Sequence, residues 1–163
     1  MQTIRTAILV HQAGNTFATT TGTGRAFAWG DDAAVPELSP VETVTVALAA
    51  CSAMDVISIA AKKRQVISRY AVRVRGEQRS DYPQVLTRVD VTHEVEGPNV
   101  DEAAIRRSIE LSATKYCPVN AMLSAGPTEV HHRYIVRRTG TRPFEAEGEV
   151  IVTGPYRRPD VVA

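Results

Sequence analysis

The chain has 163 residues, 19 basic against 18 acidic, with 44% apolar content. That length makes one domain, or one domain with a tail, and the apolar share is enough for a core. Charges that nearly cancel exclude the electrostatic footprint of a nucleic-acid binder.

The opening residues, MQTIRTAILVHQAGN, lack the charged n-region, long apolar run and small-residue cleavage site of a secretory signal, so the protein is expected in the cytoplasm. Thiols stay reduced there. A lasting structural disulfide is therefore not expected, while a transient, catalytic one stays open. Residues 44–61 are apolar over about the length of a bilayer span. Asp55 lies inside that run, where a carboxylate in lipid is costly, so a helix buried in protein is expected and no membrane partner.

In chain order, residues 3–10 read as a strand rich in β-branched side chains. Residues 15–29, with glycines at 22 and 24, read as a hairpin, and 30–38 as a loop. A long helix opens at Ser39, with Pro40 at its first position and Glu42 three residues after the cap, a capping box. It closes near the basic residues 62–64, where cations suit the negative helix end. Residues 68–80 and 85–97 alternate polar and apolar around a turn at 81–84, giving two antiparallel strands. A second helix is predicted from just after Asn99 to Cys117, ended by Pro118. A short helix follows to Gly126, then a strand over 128–138. Residues 138–163, punctuated by proline and glycine, read as a C-terminal tail with one candidate strand at 149–152, appended to a domain over 1–137. Strands and helices are grouped rather than alternating, which predicts an α+β fold with an antiparallel sheet. A helix apolar all round must be covered on every face, and one small chain can hardly do that. A dimer packing the helix against its copy would.

Two cysteines stand out. Cys51 lies mid-helix with Asp55 one turn later on the same face, and a carboxylate there disfavours the thiolate unless a cation intervenes. Asp55 reads either as a buried acid paired with a basic side chain or as part of a polar network around the thiol. Cys117 sits at a helix end against Pro118. His11, His93, His131 and His132 give no metal-ligand spacing with the cysteines, so neither a metal nor another cofactor is expected. No phosphate-binding glycine loop, nucleophilic serine elbow or dinucleotide fingerprint is present.

The segments SPVETVTVALAACSAMDV, YPQVLTRVDVTHEVEG and IRRSIELSATKYCPVNAML, in this order, resemble the OsmC/Ohr family of osmotically inducible and organic hydroperoxide resistance proteins, over residues 3–137. Within it they are most similar to the branch with Ala-x-Asp after the first cysteine. The resemblance implies an intertwined homodimer, antiparallel sheets flanking two long central helices, with a site at each subunit interface. It implies thiol-dependent reduction of hydroperoxides, organic ones preferred, without prosthetic group. Cys51 would attack the peroxide and Cys117 would resolve the sulfenic acid, with a dithiol or lipoyl-type reductant completing the cycle. The activating cation would be Arg25, with Arg79 as alternative, and Lys115 and Tyr116 stand beside Cys117. Here the sequence departs from the family: Val41, not glutamate, follows Pro40, and the acid comes one residue later as Glu42, which the capping box also explains. A non-enzymatic dimer binding a small hydrophobic or thiol ligand, and a redox sensor, are the rival readings.

Overall fold

A computed structural model of the protein describes residues 4–13, 16–29 and 39–152. The chain divides into two compact units, 1–44 and 45–163. In the first, strands β1 (Ala7–Ala13), β2 (Thr16–Thr21) and β3 (Ala26–Trp29) form an antiparallel meander in the order β1-β2-β3. The predicted hairpin is β2–β3, and Gly24 at φ 78° supplies the left-handed conformation its turn requires.

Helix α1 (Pro40–Lys62) begins in the first unit and continues in the second. Its start is the predicted capping box. The Glu42 N–H donates to Ser39 Oγ at 3.2 Å, and the Ser39 N–H donates to Glu42 Oε2 at 2.8 Å. The chain itself buries one stripe of α1: Leu48, Ser52, Val56 and Ala60, spaced by four. Other faces remain open, with Val46 58% and Met54 74% exposed. The sequence predicted a helix covered on all sides, and the described residues do not supply that cover.

In the second unit, β4 (Arg69–Gln78), β5 (Leu86–Gly97), β6 (Glu129–Arg138) and β7 (Phe144–Val152) form one sheet in the order β4-β5-β6-β7. β4 and β5 are antiparallel, as their alternation predicts. β5 and β6 are parallel, which corrects the expectation of a wholly antiparallel sheet. The cause is the helical connection over 98–128, which carries the chain back to the start of β5 before β6 begins. The sequence predicted a strand only at 149–152 in the tail. Instead, residues 144–152 pair antiparallel with β6 along their whole length. Residues 153–163 lie outside the described part.

One face of this sheet is apolar. Val95 and Val136 join Val56 and Ala60 of α1, together with Val100, Ile105, Ile109 and Tyr134, in the main core. The other face is ionic. Arg73 of β4 pairs with Glu94 of β5, Arg133 of β6 lies 3.9 Å from Asp90 of β5 and from Glu149 of β7, and Arg137 of β6 pairs with Glu145 of β7.

The predicted second helix is two elements. α2 (Glu102–Leu111) starts two residues later than predicted, because Asp101 is the N-cap, its Oδ2 accepting from the Ala104 N–H at 2.8 Å. Residues Ser112–Tyr116 then widen into a π turn, in which the Cys117 N–H reaches back to the Ser112 carbonyl at 2.9 Å. α3 (Pro118–Ser124) opens at Pro118, so the proline that ends one helix is also the first residue of the next.

Candidate active site

The π turn brings the two cysteines together. The Sγ atoms of Cys51 and Cys117 and a carboxylate oxygen of Asp55 all lie within 4.8 Å of one another. Cys51 and Asp55 come from one face of α1, one turn apart. Cys117 comes from the junction between the π turn and α3, where its side chain serves as N-cap: the Asn120 N–H donates to Cys117 Sγ at 3.3 Å. Both thiols are free, Cys51 half-buried and Cys117 only 3% exposed. A small pocket of about 110 Å³ borders Cys117, lined by Ala113, Thr114, Lys115, Tyr116, Pro118 and Ala121.

The surroundings of Cys117 hold its thiol protonated. Burial, followed by the neighbouring Cys51 and the negative charge of Asp55, pushes the Cys117 thiol up to about 12, against the lowering donor of Asn120. Asp55 is itself raised by burial, partly offset by the Ser112 hydroxyl, which donates to Asp55 Oδ2 at 3.0 Å. Ser112 also lies 3.5 Å from Ser52 Oγ. Among the described residues Asp55 has no ion-pair partner. Of the two readings of Asp55, the polar network is the one present among the described residues.

A relay that sequence reasoning missed lies behind Cys117. Asn120 Nδ2 donates to the Ala113 carbonyl of the π turn at 2.8 Å, which turns its Oδ1 toward His132 Nε2 at 2.9 Å. His132 must then donate from Nε2 and accept at Nδ1, which lies 3.1 Å from His93 Nε2. His93 in turn accepts at Nδ1 from the Tyr70 hydroxyl at 2.7 Å. The direction of every bond is thus fixed from Asn120 backward, and both rings are neutral. Burial first, then the charge of its neighbour, lowers His93 to about 3 and His132 to about 4. Burial also raises the Tyr70 hydroxyl well above its ordinary value. The signal was present in the strand alternation. His93 shares the inward parity of Val91 and Val95, and His132 that of Val130 and Val136, which marks them as core residues.

The remaining predicted residues are placed as follows. Glu42 holds the helix cap described above. Arg25 lies in the β2–β3 turn, its N–H donating to Thr21 Oγ1 at 3.1 Å. The Arg79 guanidinium binds the Asp81 and Tyr82 carbonyls at 2.8 and 2.6 Å, so it stitches the β4–β5 turn. Lys115 is exposed and lies 5.3 Å over the Tyr116 ring. No histidine enters the cluster of Cys51, Asp55 and Cys117. His131 pairs instead with Glu149 at 2.8 Å on the ionic face.

A long helix carrying one cysteine, a sheet behind it and a second cysteine returned by a helical crossover define a thiol site on an α+β scaffold. A model of the OsmC-like protein family matches residues 30–132, and the chain belongs to that family. It is 37% identical over 98 residues to Protein YhfA of Escherichia coli (strain K12), covering 60% of this chain and 73% of that protein. The crystal structure of a hypothetical protein from Aquifex aeolicus VF5 is 25% identical with a TM-score of 0.73, covering 85% of this chain and 99% of that one. An organic hydroperoxide resistance protein from Elizabethkingia anophelis shares the fold at 15% identity and a TM-score of 0.62, covering 85% of this chain and 99% of that one.

Proposed function

We propose that the chain is a thiol-dependent hydroperoxide reductase, working as a cytoplasmic homodimer without prosthetic group. The observation that carries this reading is the approach of the Cys51 and Cys117 sulfurs within 4.8 Å across two different elements. Cys51, half-buried, is the attacker. Its thiolate takes the distal oxygen of ROOH and releases ROH, leaving a sulfenic acid. Cys117, deeply buried and held protonated, suits the resolving role. It stays inert until the sulfenic acid forms beside it, then displaces water to give the disulfide. A dithiol or lipoyl-type reductant restores both thiols. Arg25 is the cation proposed to activate Cys51, as the family resemblance implies, with Arg79 as the alternative. Glu42 is assigned to the helix cap, and the exposed apolar face of α1, with Val46, Met54 and Ile57, to the partner subunit.

The test is intact mass and peptide mapping after one equivalent of cumene hydroperoxide. An intramolecular Cys51–Cys117 disulfide in the wild type, absent in Cys51→Ser, is expected. Two unmodified thiols would overturn the reading. Asp55 favours one rival, a dimer that binds a small hydrophobic or thiol ligand, since its carboxylate opposes the ionisation of Cys117. That rival predicts wild-type thiols that stay reduced under the same treatment.

A further inference from the structure

We propose that Cys51, Asp55 and Cys117 form a binding site for a thiophilic divalent cation of the zinc class, held by two thiolates and one carboxylate. The three ligand atoms already lie within 4.8 Å of one another. Tetrahedral zinc, with zinc–sulfur bonds of about 2.3 Å and zinc–oxygen bonds of about 2.1 Å, needs such atoms roughly 3.5–4 Å apart, a gap that small side-chain rotations close. Two ligands stand one turn apart on a single helix face, so their spacing is set by rigid backbone. The third is fixed by its place as the N-cap of α3.

The groups around the cluster point the same way. The Asn120 N–H donates to Cys117 Sγ, and the Ser112 hydroxyl donates to Asp55 Oδ2. Donors aimed at the ligand atoms are what orients anionic ligands around a metal. The cluster also poses a charge problem that a cation resolves. Three acidic groups converge, and among the described residues Asp55 has no ion pair. Two thiolates and a carboxylate carry three negative charges, which a divalent ion reduces to one. The two sulfurs select a soft or borderline ion over magnesium or calcium, and three protein ligands leave a fourth tetrahedral position. On binding, each thiol loses its proton, so two protons are released for each ion taken up. The same sulfurs serve hydroperoxide reduction, so a bound ion and an oxidised site exclude each other.

The experiment titrates the reduced full-length protein with zinc against a chromogenic chelator, and with cobalt to read the sulfur-to-metal charge-transfer band. It needs no peroxide, so its result is independent of the peroxidase reading. We expect one ion per chain, release of two protons, and protection of both thiols from alkylation. Cys51→Ser and Cys117→Ser should each weaken binding at least tenfold and remove half of the charge-transfer intensity. Asp55→Asn should weaken binding about tenfold while keeping that band. Circular dichroism reports whether each variant folds, and alkylation protection in the wild type gives a readout that needs no variant. Wild-type thiols that alkylate equally fast with and without zinc would overturn the proposal, as would folded cysteine variants that bind as tightly as the wild type.

Discussion

Acidification tests the buried histidine relay without a mutation. His93 and His132 fold neutral, lowered to about 3 and about 4, whereas in the unfolded chain each titrates near the ordinary imidazole value of 6.5. A folded value below the unfolded one means that the unfolded state binds the extra protons. The histidines therefore cost no stability above pH 6.5 and an increasing amount as pH falls toward their folded values. Each excluded proton gives a slope approaching about 1.4 kcal/mol per pH unit, so two give about 2.7. Integrated from pH 6.5 to 4.5, and allowing for partial protonation at the upper end, the loss is about 4 kcal/mol. That is a large share of the roughly 5–15 kcal/mol that holds an ordinary domain. This window lies mostly above the range in which Asp90 and Glu94, both held below their ordinary values by arginine partners, begin to matter. Asp55, raised by burial, opposes the trend as a single group. Urea unfolding at pH 6.5, 5.5 and 4.5, at one protein concentration, measures the slope. His132→Gln should remove about half of it. A wild-type slope under about 1 kcal/mol per pH unit, or an unchanged slope in the variant, would refute the neutral relay.

Three further outcomes are expected. Ile109→Ala, at a fully buried core position, should cost about 2–5 kcal/mol and be visible as a lowered urea midpoint with unchanged m. Gly97→Ala should cost at least about 1–3 kcal/mol, because its Cβ would run into the Val66 carbonyl, a backbone atom that cannot swing aside. A near-neutral variant would mean that the chain relaxes around 66. Met54→Glu, on the open face of α1, should turn the proposed dimer into a monomer in light scattering while leaving the circular dichroism spectrum intact, and a dimer that survives would move the interface off this helix.

The sequence was most readable where one physical signal acted alone. The capping box at Ser39 and Glu42 rests on local hydrogen bonds, and so it is visible in four residues. The β4–β5 hairpin rests on a period of two. The family resemblance rests on the segments around both cysteines. The π turn was not readable, because SATKY has ordinary helical propensity. What widens the turn is the long-range hold of Asn120 on the Ala113 carbonyl, an interaction seven residues apart that also depends on His132. Parallel pairing of β5 with β6 was missed because alternation reports which face is buried and not the direction of the neighbour. Strand β7 was shortened to its apolar end because FEAEGE looks like a tail until Arg133 and Arg137 of β6 are placed opposite its glutamates.

That ionic face has a consequence for how the sheet assembles. Its signs alternate from strand to strand and stay constant along each one. Arg69, Arg73 and Arg75 lie on β4, Asp90, Glu94 and Glu96 on β5, Arg133 and Arg137 on β6, and Glu145, Glu147 and Glu149 on β7. Only Glu77, Arg88 and Glu129, at one end, invert the pattern. A two-residue slip along any pair would leave plus facing minus, so these charges say little about register. Placing β4 beside β6, or β5 beside β7, would set like against like over several rows, each opposed pair being destabilising. The charges thus encode the sequence of neighbours, while the apolar pleat on the reverse face sets which side is buried. Salt should therefore loosen the choice of partner strand before it loosens the core.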